Sequence, residues 1–80
     1  MHYVYIVECA DGTYYTGYTN NLNRRIEEHN RGEGAKYTKG RRPVELVYSK
    51  KFNSKSKAMK REYKIKQISR QKKSELINEK

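Results

Sequence analysis

The sequence has little cysteine and no long apolar run. Its single thiol, Cys9, excludes an internal disulfide and a zinc site built from cysteines, since such a site needs several thiolates or imidazoles. A reducing, cytoplasmic compartment fits this cysteine usage. No segment approaches the roughly 20 apolar residues that cross a bilayer, and the first residues lack the basic and apolar regions of a signal peptide. We therefore expect a cytoplasmic protein without a membrane partner.

The composition limits the chain to one small domain. Eighty residues can bury only a modest core, and 34% hydrophobic against 35% charged residues lies near the polar limit of folded proteins. Eight tyrosines offset this shortage, because a tyrosine ring can be buried while its hydroxyl stays hydrated. We expect a single domain over residues 1–80, with its core in about residues 2–70 and a C-terminal helix over 70–80.

Acidic residues are scarce in the second half of the chain. Residues 1–40 carry five Lys and Arg against five Asp and Glu, whereas residues 41–80 carry fourteen against four. Such a basic half suits a partner made of phosphates, because bound Lys and Arg release the condensed counterions of DNA. The charge alone is also compatible with an RNA partner or with a surface that only keeps the protein in solution.

Two segments rich in β-branched and aromatic residues predict a hairpin. They cover residues 3–8 and 14–19, and a three-residue loop that ends at Gly12 joins them. Glycine at that position suits the left-handed conformation that such a loop requires. A loop of this length puts Tyr5 and Tyr15 on the same face of the hairpin, whereas a two-residue loop would put them on opposite faces.

A polar-capped helix is predicted after the hairpin. Asn21 or its neighbours can cap a helix over residues 22–30, and Gly32 can end it. Arg25 and His29 fall on the same stripe of this helix as its apolar residues. The helix therefore presents polar groups toward the interior.

The rest of the chain predicts a loop, a strand and two helices. Residues 31–42 are polar and contain glycine, which indicates a loop, and residues 44–49 indicate a strand. A helix to about residue 68 follows, with Glu62 on its inward stripe, and a shorter helix begins near residue 69. The predicted fold is α/β (α+β), with a small three-stranded antiparallel sheet made of the hairpin and a third strand, flanked by helices.

The hairpin sequence resembles the two halves of the GIY-YIG motif of metal-dependent endonucleases. Tyr3-Val4-Tyr5 stands where the family has Gly-Ile-Tyr, and Tyr15-Thr16-Gly17 stands where it has Tyr-Ile-Gly. Downstream, Arg25 and His29 match an arginine and a histidine or tyrosine in the following helix, and Glu62 matches a glutamate in a later one. The departures from the motif are Tyr3 for glycine and Thr16 for isoleucine.

The likeness covers about residues 2–70 and is strongest to two groups of the family. These are the stand-alone bacterial YhbQ-like proteins and the catalytic module of structure-specific resolving nucleases. Gly32, Thr38 and Pro43 also fall where the loop of that group has them. At Gly17, the missing side chain would let DNA or a catalytic group approach the strand closely.

The resemblance implies hydrolysis of DNA phosphodiester bonds with one divalent metal ion, Mg²⁺ or Mn²⁺, and no small-molecule cofactor. Glu62 would hold the ion, and Tyr5 would activate the attacking water. Arg25 would contact the scissile phosphate, while Tyr15 and His29 would orient the nucleophile or the phosphate. The DNA itself would be held by basic side chains of the loop and of the long helix: Lys36, Lys39, Arg41, Arg42, Lys55, Lys60 and Lys64.

Each of these residues also has an ordinary structural explanation. Two tyrosines on a hairpin are common packing partners. A histidine in a helix is usually a structural residue with satisfied hydrogen bonds. Arg25 could pair with Glu28, and Glu62 with Lys66, at the three- and four-residue spacings of helical ion pairs.

Three functions stay open at this stage. The first is an endonuclease acting on branched or irregular DNA in repair or recombination. The second is a nucleic-acid-binding module that keeps the scaffold without catalysis. The third is a subunit that lends its basic face to a nuclease as its protein partner.

Overall fold

Three strands and four helices form the fold in the computed structural model, which describes residues 1–78. In chain order they are β1 (His2–Glu8), β2 (Tyr14–Thr19), α1 (Leu22–Asn30), α2 (Lys36–Lys39), β3 (Glu45–Phe52), α3 (Lys55–Gln67) and α4 (Arg70–Asn78). The strands make one antiparallel sheet in the order β2-β1-β3. The predicted α+β class, with a hairpin, a third strand and flanking helices, is confirmed.

The hairpin has the predicted register. Tyr5 pairs with Gly17, and Val7 pairs with Tyr15. Gly12 has a φ of 85°, which is the left-handed conformation that the three-residue loop requires. Tyr5 and Tyr15 therefore lie on the same face of the sheet.

The sheet buries both of its faces, because successive side chains of a strand point in opposite directions. The face toward α3 and α4 holds Val4, Ile6 and Tyr48, together with Ala58 and Ile65 of α3. The face toward α1 holds Tyr5, Val7, Cys9 and Val44, with Leu22 and Ile26 of α1 packed against them. Since β2 is an edge strand, groups from helices on the two faces can meet beside it.

The predicted ends of α1 are confirmed, and α3 has a cap of the same kind. The Asn21 side chain accepts a hydrogen bond from the Arg24 amide at the start of α1, and Gly32 follows its end with a φ of 81°. Ser54 caps α3 in the same way. These polar caps fix the first turn of each helix and therefore the direction of its side chains.

Two parts of the prediction were wrong: a short helix was missed, and the third strand was given too early an end. The segment 31–42, predicted as a loop, contains α2, which is too short to show a helical period. β3 begins at Glu45 and runs to Phe52, three residues beyond the predicted end, because pairing with β1 continues to His2. The predicted helix over 70–80 is present as α4 to Asn78, and its last two residues lie outside the described part of the chain.

No helix among residues 1–78 is long and apolar enough to cross a membrane.

Candidate active site

A buried hydrogen bond joins the hairpin to α1. The Tyr5 hydroxyl and Nε2 of His29 are 2.7 Å apart, and neither residue has any exposed surface. The Tyr15 ring meets the same imidazole edge to face, with ring centroids 5.4 Å apart. Three of the residues predicted for the site are thus in contact on one face of the sheet.

Gly17 makes room for the Tyr5 phenol. A Cβ atom at this position would lie 2.5 Å from the Tyr5 hydroxyl and 2.6 Å from Cζ of the ring. Nonbonded carbon atoms pack at about 3.5–4.0 Å, so such a Cβ would displace the ring. The close approach expected at this glycine is made by Tyr5.

The segment after α1 encloses the other edge of the imidazole. The hydroxyl of Thr38, a fully buried residue of α2, is 2.8 Å from Nδ1 of His29. The same hydroxyl donates to the Ala35 carbonyl at 3.0 Å. Gly34 lies against the ring, where a Cβ would be 2.5 Å from Nδ1. Both ring nitrogens of His29 are therefore engaged inside the fold.

An aromatic stack ties α2 to the hairpin. The Tyr37 ring stacks on Tyr15 with centroids 5.8 Å apart, and the guanidinium carbon of Arg41 lies 4.1 Å from the Tyr37 centroid. Arg41 also donates to Asp11 in the hairpin loop at 3.0 Å. These contacts hold α2, and with it Thr38, against the site.

Arg25 reaches the same site from α1. Its guanidinium forms a 3.1 Å ion pair with Glu28, which is the structural role considered for it above. Burial raises the pKa of Tyr5 to about 12; the nearby Arg25 opposes this shift, whereas Tyr15 and Glu62 add to it. Arg25 is therefore the neighbour that favours the charged form of the phenol.

Glu62 approaches from α3, on the other side of the sheet. Its side chain is only 13% exposed, and Nζ of Lys66 lies 3.0 Å from Oε2, so the predicted alternative ion pair also forms. The carboxylate is near enough to Tyr5 to raise the phenol's pKa. Most of the Glu62 side chain is therefore shielded from solvent, and its charge acts on the Tyr5 phenol.

A single carboxylate of this kind fits Mg²⁺ or Mn²⁺ better than it fits a closed site with several protein ligands. Across residues 1–78, no group of three or more His, Cys, Asp or Glu side chains could hold a metal ion. Mg²⁺ usually keeps several waters and binds through one or two carboxylates plus substrate phosphates. Glu62, partly accessible and paired with a half-exposed lysine, matches that donor pattern.

An open cleft of about 400 Å³ lies beside Arg25. It is lined by Tyr18, Thr19, Asn20, Asn21, Arg24, Arg25, Glu28 and Lys55. Three cationic side chains and one carboxylate give the cleft a positive lining, which suits an anionic group. Arg25 borders the cleft and neighbours Tyr5, whereas Tyr5 and His29 themselves are fully buried.

His29 is held as a neutral imidazole. Burial lowers its pKa below the ordinary value of 6.5, the charge of Arg25 lowers it further, and Glu28 opposes both effects. As the pH falls below 6.5, the unfolded chain therefore binds a proton at this side chain more readily than the folded chain does.

The free energy of unfolding is accordingly expected to fall as the pH drops from about 7 to about 5, by at most about 1.4 kcal/mol per pH unit for this one group. Urea unfolding across that range measures the slope, and His29→Gln should flatten it. Hydrogen bonds from Thr13 and from Arg25 lower the pKa values of Asp11 and Glu28, respectively. These carboxylates lose their contribution to the free energy of unfolding only below about pH 4–5, so they add little to the slope measured for His29. Identical slopes of unfolding free energy against pH for the unmodified protein and for His29→Gln would contradict the burial of a neutral His29.

The residues predicted to contact DNA divide into two groups. The lysines are exposed: Lys36, Lys39, Lys55, Lys60 and Lys64. Arg41 and Arg42 instead stabilise the segment that contains α2. Arg41 donates to the Tyr37 carbonyl at 2.7 Å, and Arg42 donates to the Lys39 carbonyl at 2.9 Å.

The remaining motif positions belong to the sheet. Tyr3 pairs with Thr19 in the hairpin, and Val4 is fully buried in the core that faces α3. Thr16 is 3% exposed, and its hydroxyl has no hydrogen-bond partner within the described residues 1–78. The departures from the motif at Tyr3 and Thr16 thus leave the contact between Tyr5 and His29 intact.

Sequence reasoning gave no role to Thr38 and missed the stack through Tyr37. Both residues lie in the segment predicted as loop. The available signals were the match of Thr38 to the loop of the resembled group and the presence of a threonine and a tyrosine among basic and polar neighbours. Neither signal shows which of the two residues is buried.

Comparison with known proteins identifies the family of the chain. The sequence model of the GIY-YIG catalytic domain matches residues 1–75. The chain belongs to the GIY-YIG family. The resemblance noted in the hairpin is thereby confirmed, and the GIY-YIG domain implies a nuclease-type fold.

Similar GIY-YIG chains occur in an archaeon and in bacteria, under names that state no activity. A UPF0213 protein of Halobacterium salinarum is 62% identical over 77 residues, which is 96% of this chain and 100% of that protein. A UPF0213 protein of Staphylococcus aureus is 62% identical over 78 residues, covering 98% of this chain and 95% of its own.

Two solution NMR structures share the fold. That of a UPF0213 protein from Bacillus halodurans is 54% identical, with a TM-score of 0.66, and the match covers 99% of this chain and 84% of that one. That of a protein from E. faecalis is 40% identical, with a TM-score of 0.65, and covers 96% and 82%.

Proposed function

We propose that this protein is a Mg²⁺-dependent endonuclease that hydrolyses DNA phosphodiester bonds at branched or otherwise irregular sites, as in repair or recombination. The observation that carries the proposal is the gathering of Arg25, His29 and Glu62 around the buried phenol of Tyr5 in a GIY-YIG chain. These groups supply a proton acceptor, a phosphate ligand and a metal ligand in one place.

The positive cleft is the proposed site of the scissile phosphate. Arg25 borders it together with Arg24 and Lys55, and a guanidinium can bind two phosphate oxygens at once. Exposed Lys60 and Lys64 on α3 extend the basic surface for the DNA backbone. Such contacts carry affinity but do not read sequence, so selectivity would come from the shape of the DNA.

Tyr5 is the group proposed to take a proton from the attacking water. It can do so only as a phenolate, and its burial, which raises the pKa to about 12, works against that state. Arg25 favours the phenolate by its charge, and His29, 2.7 Å away, is placed to receive the phenolic proton. Because Tyr5 has no exposed surface, side chains at the wall of the cleft must shift to admit water to the phenol. Arg25 borders both the cleft and the Tyr5 phenol.

Glu62 is the proposed ligand of the metal ion, and its Oε2 is paired with Lys66. A bound Mg²⁺ or Mn²⁺ would supply positive charge to neutralise the phosphate and stabilise the departing oxygen. Tyr15, fixed by its stack on Tyr37, is proposed to orient the nucleophile or the phosphate. We leave Arg41 and Arg42 out of the DNA contacts, because their guanidinium groups already bind backbone carbonyls.

Cleavage of end-labelled oligonucleotides tests the proposal. Flapped and four-way substrates are compared with a linear duplex of the same sequence, in Mg²⁺, in Mn²⁺ and in EDTA. We expect products from the branched substrates only when a metal is present. No product from any substrate, or equal cleavage in EDTA, would reject the proposal.

A second candidate is a nucleic-acid-binding module without turnover. It is favoured by the two ion pairs, Arg25 with Glu28 and Glu62 with Lys66, which occupy groups that catalysis needs. This candidate predicts binding that weakens uniformly as salt increases, and no cleavage with either metal. Activity that appears only when a co-purified nuclease is present would instead indicate an accessory subunit.

A further inference from the structure

We infer that Thr38 sets the tautomer of His29 and so makes Nε2 the acceptor of the Tyr5 phenolic proton. Thr38 is a positioning residue, since it acts on the phenol through the imidazole. The catalytic consequence rests on the proposed function, but the assignment of the tautomer rests on hydrogen-bond geometry alone.

The hydrogen bonds of Thr38 have a fixed direction. Its hydroxyl lies 3.0 Å from the Ala35 carbonyl, and a carbonyl can only accept, so the hydroxyl proton is used there. The oxygen of Thr38 is then left to accept from Nδ1 of His29 at 2.8 Å. A neutral imidazole that carries its proton on Nδ1 has an unprotonated Nε2.

The Tyr5 phenol requires the same tautomer. Tyr5 is fully buried, and its charged neighbour Arg25 has donors only. Among residues 1–78, Nε2 of His29 is the one acceptor within hydrogen-bond distance of the phenol. An unprotonated Nε2 accepts the phenolic O–H, whereas a protonated Nε2 would leave that O–H buried without an acceptor.

One contact favours the other tautomer of His29. The Ala35 amide lies 3.5 Å from Nδ1 of His29, a position that would suit an unprotonated Nδ1. This distance is at the limit for a hydrogen bond and is much longer than the 2.8 Å to Thr38. The two short bonds, to Thr38 and to Tyr5, therefore decide the tautomer.

Nitrogen-15 NMR of histidine-labelled protein measures the tautomer directly. The chain has two histidines, and a His2→Gln variant assigns the signals of His29. At neutral pH we expect Nδ1 of His29 to be protonated and Nε2 to be unprotonated. A protonated Nε2 in the unmodified protein overturns the inference, whether or not the protein cleaves DNA.

Thr38→Val removes the hydroxyl and keeps a similar shape. We expect the proton of His29 to move to Nε2 in this variant, and DNA cleavage to fall on the order of 10²-fold, as when a proton acceptor is lost. Thr38→Ser, which restores a hydroxyl, should retain both the tautomer and the rate. A valine variant whose Nδ1 stays protonated would overturn the inference.

The two proposals fail separately. If the unmodified protein cleaves no DNA but shows a protonated Nδ1 that Thr38→Val shifts to Nε2, the endonuclease proposal fails and the role of Thr38 stands. If the protein cleaves DNA but Nε2 carries the proton, the endonuclease proposal stands and the role of Thr38 fails. Should Thr38→Val not fold, Thr38→Ala removes the same hydroxyl and should likewise move the proton to Nε2, and an Nδ1 that stays protonated there would overturn the inference.

Discussion

Replacement of Tyr5 by phenylalanine is expected to reduce DNA cleavage by about 10²- to 10⁴-fold, the range for removal of a general base. The phenylalanine ring fills the same space above Gly17 and loses only the hydroxyl that binds His29. The loss of that buried hydrogen bond costs about 1–3 kcal/mol of stability. Single-turnover cleavage of a branched substrate measures the rate, and urea unfolding shows that the variant remains folded under the assay conditions.

Tyr63→Phe is the matched control for this prediction. Tyr63 follows Glu62 on α3, but it is 66% exposed and makes no described contact with the phenol of Tyr5 among residues 1–78. Its cleavage rate should equal that of the unmodified protein. Equal rates for Tyr5→Phe and Tyr63→Phe would exclude Tyr5 from the reaction.

The hairpin and α1 could be predicted from the sequence because short-range chemistry determines them. The loop that ends at Gly12 fixes the strand register, and the register places Tyr5 over Gly17. Likewise, the Asn21 cap fixes where α1 begins and so which of its side chains face the sheet. Both features depend on residues that are neighbours along the chain.

The surroundings of His29 could not be predicted in this way. α2 has four residues, which is too few for a periodic pattern, and it is held by contacts between distant residues. Thr38 is buried against His29, and Tyr37 stacks on Tyr15. These partners become evident only when the sheet and α1 are assembled.

The sequence indicated the candidate site as a set of residues but not as a geometry. The motif spacing indicated Tyr5, Arg25, His29 and Glu62, yet it did not show that Glu62 comes from the opposite side of the sheet. Nor did it show how deeply Tyr5 is buried. Because β2 is an edge strand, helices on both faces of the sheet can place charged groups near the phenol of Tyr5.

Glu62→Gln is expected to lower metal-dependent cleavage on the order of 10³-fold, equivalent to about 4 kcal/mol of lost charge stabilisation. Glutamine keeps the shape of the side chain but removes the anionic oxygen that the metal ion requires. Stability should change by less than about 1 kcal/mol, because the partner lysine, Lys66, is 51% exposed and its ion pair is screened by solvent.

The dependence of the cleavage rate on Mg²⁺ and Mn²⁺ concentration distinguishes this role from a structural one. If Glu62 holds the ion, Glu62→Gln should need far more metal than the unmodified protein or should not respond to it, while DNA binding in EDTA stays the same. Glu27→Gln is the control, since Glu27 also pairs with a cation on a helix but is 70% exposed. A Glu62→Gln variant with the unmodified metal dependence would show that α3 supplies no ligand, and Glu62 would then serve only to pair with Lys66.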